Sequence, residues 1–240
     1  MNRYLTSSLT AFLMAFVLQP HKANAQETSS AKTPAPPVTY FLSNPYDSAH
    51  HKMTLSIPAD YFIDGAPPTS GSTVPAFLLN VSWPSWIGDP DGNDRGALRI
   101  LAGSIQPNDS DNSVNHDYFM GAVTVKSWEI PKDRKPMPPQ FIPVQKNPLP
   151  TPTGHGIQEV IRDKAVDIYL NEDLYVLMDA NNIPIVWLAC NKDGVVPQCE
   201  ENFTFHRLQT TISYPRSRVG SWFEIMTDVK QKILTFIKQP

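Results

Sequence analysis

Cysteine is almost missing from this chain of 240 residues, where Cys190 and Cys199 stand alone. The scarcity leaves no Cys-x-x-Cys redox pair. Glycine is sparse as well, 11 residues against 24 prolines, and nowhere forms a phosphate-cradling loop. Gly-x-Ser-x-Gly and His-Glu-x-x-His are absent too, so the common hydrolase signatures are excluded. Charged residues make up only 18% of the chain and net −3. The nearest basic cluster, Lys132-Asp-Arg134-Lys135, lies among prolines as a solvated loop, which argues against a nucleic-acid partner. No internal repeat recurs at a fixed period.

Long apolar runs are also lacking, apart from the N-terminus. Met1-Asn-Arg3 gives a basic start, Leu5 to Leu18 an apolar stretch, and Ala23-Asn-Ala25 a small-x-small cleavage pattern. The run is shorter than the roughly 20 residues of a membrane span. Residues 1–25 are therefore expected to be a signal peptide cut after Ala25. No cysteine follows the cut and Arg3 has no twin, which points to general secretion into a Gram-negative periplasm. No membrane insertion of the mature chain is expected. Residues 26–37, polar and proline-rich, are expected to be a flexible leader.

In an exported chain two cysteines most simply form one bridge. Cys190 and Cys199 bracket the loop between two apolar runs, Ile183 to Cys190 and Phe203 to Pro215, which come within disulfide reach if they pair antiparallel. Closing a loop of about ten residues stabilises by roughly 2–3 kcal/mol.

The remaining pattern is mostly strand. Lys52 to Pro58 alternates Met53, Leu55 and Ile57 against Thr54 and Ser56. Val38 to Leu42, Pro75 to Ile87, Ala97 to Ile105 and Phe119 to Ile130 read as further strands, and Asp60 to Ile63 as a short turn of helix or an edge. Prolines at 131, 136, 138, 139, 143, 148, 150 and 152 bar a central strand or helix from residues 131–152, which read as an excursion over the surface. His155 to Arg162, Ala165 to Leu170, Leu174 to Asp179, Ile183 to Cys190 and Phe203 to Pro215 form an antiparallel meander, with turns at Asn171-Glu-Asp173 and Ala180-Asn-Asn182. From an N-cap near Ser217 a helix follows, with Trp222, Ile225, Met226, Val229, Ile233, Phe236 and Ile237 on one stripe. The fold class is α+β: an antiparallel meander covered by a C-terminal helix with one disulfide hairpin, and residues 38–240 as a single domain.

Candidate sites are few. Asp89-x-Asp91-x-Asn93 offers alternating oxygen ligands to a hard cation, but the sixth position is Asp94 rather than Gly and the twelfth Ile100 rather than Glu. The same residues make an ordinary turn. His50 and His51 point to opposite strand faces and do not share a metal. His116 beside Asp117, His155 between glycines, and His206 are isolated histidines. Trp83-Pro-Ser-Trp86-Ile87 is the strongest binding feature, because a rigid Trp-Pro segment binds at little entropic cost. Trp83 continues the core face of Phe77, Leu79 and Val81. Trp86 is the candidate contact residue, and Asp89, Asp91 and Asp94 beside it would steer a basic partner.

The C-terminal segment, through Cys190, Cys199, Phe203, Ile212-Ser-Tyr-Pro-Arg216 and Trp222, resembles small exported proteins of Gram-negative bacteria associated with type VI secretion gene clusters. The resemblance implies a periplasmic immunity protein that binds and blocks a toxin, without catalytic residues or cofactor. Two rivals stand beside it: a hydrolase or metal-dependent enzyme using His116, Asp117 and the Asp89 to Asp94 loop, and an envelope carrier or assembly protein holding a ligand between sheet and helix.

Overall fold

The computed structural model describes residues 35–44, 51–103, 119, 138–143, 157–162, 171–192, 194 and 197–238. All belong to one compact unit, Pro34–Pro240. The expected signal peptide, His50, His116, Asp117, His155 and the run Ala165 to Leu170 lie outside the described residues. So does the expected strand Phe119 to Ile130 apart from Phe119, a helical residue.

Two sheets form. The smaller contains β1 (Pro37–Ser43), β2 (Lys52–Pro58) and β3 (Thr73–Val74) in the order β2-β1-β3. Leu55 and Ile57 are buried, as their alternation predicts. The β1–β2 pair is antiparallel but β1–β3 is parallel, a departure from the all-antiparallel expectation. A two-residue strand leaves no periodicity from which its direction could be read.

The larger sheet holds β4 (Ala76–Ser82), β5 (Ile87–Gly88), β6 (Leu98–Gly103), β7 (Gln140–Pro143), β8 (Gln158–Ile161), β9 (Glu172–Met178), β10 (Pro184–Asn191), β11 (Gln198–Phe205) and β12 (Leu208–Pro215). Their order is β5-β4-β6-β12-β11-β10-β9-β8-β7, antiparallel throughout. The N-terminal strands thus join the C-terminal meander through β6 and β12. Strand β7, from the proline-rich stretch, lies at the sheet's edge, where a missing amide proton costs no ladder bond.

Phe203 to Pro215 is not one strand but the end of β11, a turn, and β12. His206 and Arg207 both take positive φ, 47° and 66°, and close a two-residue hairpin. Neither is the Asn or Gly that normally marks such a turn, so the alternation hid it. His206 therefore sits at the turn, not on a strand face. The turn at Asp179 to Ile183 is as expected: Asn182 has φ 60°, and Asp179 Oδ1 accepts from the amides of Asn181 and Ile183 at 2.8 Å each.

The helix runs Trp222–Phe236, preceded by a 3-10 segment Arg216–Ser221. Its N-cap position is Ser221 rather than Ser217, with no side-chain cap bond. The predicted stripe is the buried face: Trp222, Ile225, Met226, Val229, Ile233 and Phe236. Each such side chain contributes about 1.5–3 kcal/mol on burial. The stripe does more than cover the meander. It shares one core with both sheets, including Tyr40, Leu42, Leu55 and Ile57. Beyond the helix, Ile237 bridges Leu55 and the Lys238 amide donates to Thr54 O at 2.9 Å. A second cluster, Phe119, Val160, Leu174 and Val176 with Trp187 packed on it, buries the other face of β8–β10.

Cys190 and Cys199 are cross-strand partners and are bonded. Arg216 reinforces that end of the sheet. It donates to Cys190 O at 2.9 Å and Asn191 O at 3.2 Å and pairs with Asp173. Lys192 reaches the same carboxylate at 2.9 Å. Burial pushes the Asp173 carboxyl up, but its bonds from Arg216 and Lys192 outweigh that and hold it below its ordinary value. Replacing both cysteines with alanine is expected to remove about 2–3 kcal/mol. In a domain this size that lowers the melting temperature by roughly 5–10 °C, measured by circular dichroism. The untreated protein should present no titratable thiol to Ellman's reagent.

Candidate functional site

The Trp83–Trp86 corner leaves the end of β4 and is pinned to the helix. The Trp83–Pro84 peptide bond is cis. Trp83 Nε1 donates to Asp228 Oδ2 at 2.9 Å, while Arg218 donates to Trp83 O at 3.0 Å and lies 5.5 Å from its ring. Gly96 makes room for that arginine, since a Cβ there would come within 2.6 Å of its guanidinium. Trp83 is half-buried against the core rather than continuing the fully buried face of Phe77, Leu79 and Val81.

Trp86 is also half-buried, with φ of 55°. That left-handed conformation costs a bulky residue about 1–2 kcal/mol and persists only where neighbours hold it. Here the Trp86 amide donates to Ser82 O at 2.8 Å, and Tyr61 Oη donates to Trp86 O at 2.6 Å. Lys232 stands 5.5 Å from the Trp86 ring. Next along, Ile87 is 56% exposed, more than any other large hydrophobic residue described. Tyr61→Phe removes the bond to Trp86 O and is expected to cost about 1 kcal/mol, readable as a shift in chemical denaturation midpoint.

The acidic loop is built around Asp89. Only 9% exposed, it accepts from the amides of Asn93 and Asp94 at 3.0 Å each, and Asn80 Nδ2 donates to its backbone O at 2.7 Å. Asp89 therefore closes the loop from inside. Its oxygens accept from amides of its own loop, as in an ordinary turn between strands. Asp91 and Asp94 are exposed. The Asp94 carboxyl is held below its ordinary value by the Ser82 side chain, the Gly96 amide and the Arg218 charge. Asp89 is thus buried in a loop that exposes Asp91 and Asp94, a few residues along the chain from the half-buried Trp86.

The surroundings are not purely acidic. Asn80, Asp94, Arg95, Arg99 and Ser213 line an adjoining cleft of about 330 Å³. Elsewhere on the outer face of β4 and β6, Leu78 and Leu101 pair across strands, 41% and 45% exposed. Sequence patterning named Ile87 within the Trp83-Pro-Ser-Trp86-Ile87 run but missed Arg95, Arg99, Arg218 and Asp228 as parts of this surface. Alternation could have flagged Leu78 and Leu101, since they break the polar outer face. Arg218 and Asp228 meet Trp83 across more than 130 residues of sequence, and no local signal announces that.

Among the described residues no three His, Cys, Asp or Glu side chains gather to hold a metal. Nor is any described helix long and apolar enough to cross a membrane.

One titratable group deep in the core escaped the sequence reading. Glu201 lies on the inner face of β11 between Cys199 and Phe203 and is wholly buried. Tyr214 Oη donates to its Oε2 at 3.0 Å. Burial pushes the Glu201 carboxyl up to about 8, against the opposing pull of Tyr214 and the Lys230 charge. Lys230 is lowered, mainly by burial. Had the two formed an ion pair, the carboxyl would fall and the amine rise; burial wins over their attraction. Had β11 been recognised as starting at Gln198, a lone acid on an apolar face would have stood out.

No protein-family model matches the sequence, and no curated protein matches it. Solved structures do. Smlt3025, an immunity protein of the Stenotrophomonas maltophilia type IV secretion system, superposes with a TM-score of 0.55 at 14% identity, covering 86% of this chain and 95% of its own. FrpD, an iron-regulated outer membrane lipoprotein of Neisseria meningitidis, aligns over 86% of this chain and 97% of its own at 11% identity and TM-score 0.45. At this level of identity, what the chain shares with the S. maltophilia immunity protein is its fold.

Proposed function

We propose that the protein is an exported immunity protein that neutralises a secreted toxin by binding and covering it, with the Trp83–Asp94 corner as the contact surface. The observation that carries this reading is the corner itself: a strained, helix-clamped tryptophan turn that projects Ile87, one of the most exposed apolar side chains. Preorganised apolar tips of this kind are where binding energy concentrates. Trp86 and Ile87 form the apolar centre, Asp91 and Asp94 the acidic rim, and Asp89 holds the loop in place. Arg95 and Arg99 add positive charge on the cleft side, so the complementary surface is mixed in sign rather than simply basic. The fold shared with an immunity protein supports the reading. That neighbour comes from a type IV system, whereas the C-terminal residues resemble proteins of type VI clusters, and the proposal keeps a type VI effector as the partner. The site of action is the periplasm, reached through the cleaved leader at residues 1–25, and residues 38–240 act as a single domain.

The test is capture of the toxin-like product of the adjacent gene. Ile87→Lys should weaken capture roughly tenfold or more with an unchanged melting temperature. Trp86→Ala should weaken it similarly at about 1–2 kcal/mol of stability. Wild-type capture by both variants, while the wild-type complex forms, would place the contact elsewhere.

A further inference from the structure

We propose that the groove between the C-terminal helix and the β9–β11 part of the large sheet binds a fatty-acid-like amphiphile, with Lys230 holding its carboxylate head. The groove has a volume of about 400 Å³, within the range of small-molecule sites. Leu177, Ile185, Phe205, Phe223, Met226 and Leu234 form its apolar walls, and among the described residues Lys230 is the one charged side chain lining it. Leu234 remains 36% exposed although it belongs to the helix that seals the core.

Lys230 supplies the choice of occupant. Its ammonium rests 4.8 Å from the Phe203 ring centroid and 5.7 Å from that of Phe205. Aromatic faces compensate a cation only in part. The carboxyl that acts on it, Glu201, is wholly buried and already accepts from the Tyr214 hydroxyl, and burial pushes it toward its neutral form. A partly desolvated cation lining an apolar groove is complementary to a negative head on an alkyl chain. A neutral amphiphile would fill the walls and leave the charge unanswered; a small anion would do the reverse. The proposal is independent of toxin binding at the Trp83–Asp94 corner, on another part of the surface.

The experiment titrates sodium decanoate into the full chain at neutral pH by calorimetry and two-dimensional NMR, with decyl maltoside as the neutral-headed control. Saturable decanoate binding is expected, with shifts at Phe205, Phe223 and Leu234, and the maltoside at least roughly tenfold weaker. Lys230→Met should reduce decanoate affinity by roughly tenfold and bring the two amphiphiles level. Lys230→Arg should restore most of the difference. No saturable binding, equal affinity of the two amphiphiles for the wild type, or decanoate binding untouched by Lys230→Met would each overturn the proposal. The headgroup comparison needs only the wild type, so it decides the matter even if Lys230→Met fails to fold.

Discussion

Glu201→Gln is expected to stabilise the protein at pH 8 and to flatten its stability across the range below. The folded carboxyl titrates at about 8 rather than at its ordinary 4.5 because burial disfavours the charged form. Between those two values the unfolded chain has released a proton that the folded chain retains. Wild-type stability should therefore fall as pH rises through that window and level off above it, by at most about 1.4 kcal/mol per pH unit. Across the window the loss amounts to several kcal/mol, as an upper bound set by how far the site stays dry. Asp173 and Asp94 act in the opposite sense, since their carboxyls sit below the ordinary value. Their contribution is present above the ordinary value and lost as pH falls through the folded one. The stability maximum should thus lie on the mildly acidic side. Gln keeps an oxygen for the Tyr214 hydroxyl, 3.0 Å away in the wild type, and has no charge to bury. Melting curves from pH 4.5 to 8.5 check this. A Gln variant with the wild-type slope would mean that Glu201 is ionised throughout.

Gly88→Ala should lower the melting temperature by roughly 5–10 °C, equivalent to about 2–3 kcal/mol, and should also displace the corner. A Cβ at Gly88 would lie 2.1 Å from Asp60 O and 2.6 Å from Asp60 C. Both are backbone atoms, so relief requires β5 or the 3-10 turn Ala59–Tyr61 to move. That turn carries Tyr61, which holds Trp86, and Gly88 adjoins Asp89, so partner capture should fall with stability. Gly92→Ala is the useful contrast. It has positive φ of 66° but meets only Asn80 Nδ2 at 3.9 Å, so it should cost about 1–2 kcal/mol of backbone strain. Equal losses from the two substitutions would remove the close approach at Gly88 from the account.

What the sequence made legible is the part of the molecule governed by local repetition. The Met53, Leu55, Ile57 alternation, the Trp222 to Phe236 stripe and the Cys190–Cys199 pairing each depend on neighbours a few residues away. The residues that carried the family resemblance are of this sort. Phe203, Ile212, Tyr214 and Trp222 are buried, and Arg216 ties β12 to Asp173 and the Cys190 carbonyl. They maintain a fold and say little about a partner. The proposed binding corner was half legible. The Trp-Pro turn and its acids could be read, but not the inward role of Asp89, whose charge looks the same in sequence as that of Asp91. The His206-Arg207 turn was missed because neither residue is the Asn or Gly that usually takes positive φ in such a turn. The parallel β3 strand and the Arg218 and Asp228 clamp join distant residues, and no periodicity encodes such a meeting.

The Trp83–Asp94 corner is proposed to act by contact, and the most direct measurement is a calorimetric titration of the purified protein against the toxin-like product expected from the adjacent gene. The expected result is a saturable complex with a dissociation constant of about 10⁻⁷ M or tighter, abolished toxin activity in the complex, and binding and protection both weakened roughly tenfold or more in Ile87→Lys. Absence of a complex, or turnover of an envelope compound by the isolated protein that survives Ile87→Lys, would contradict it.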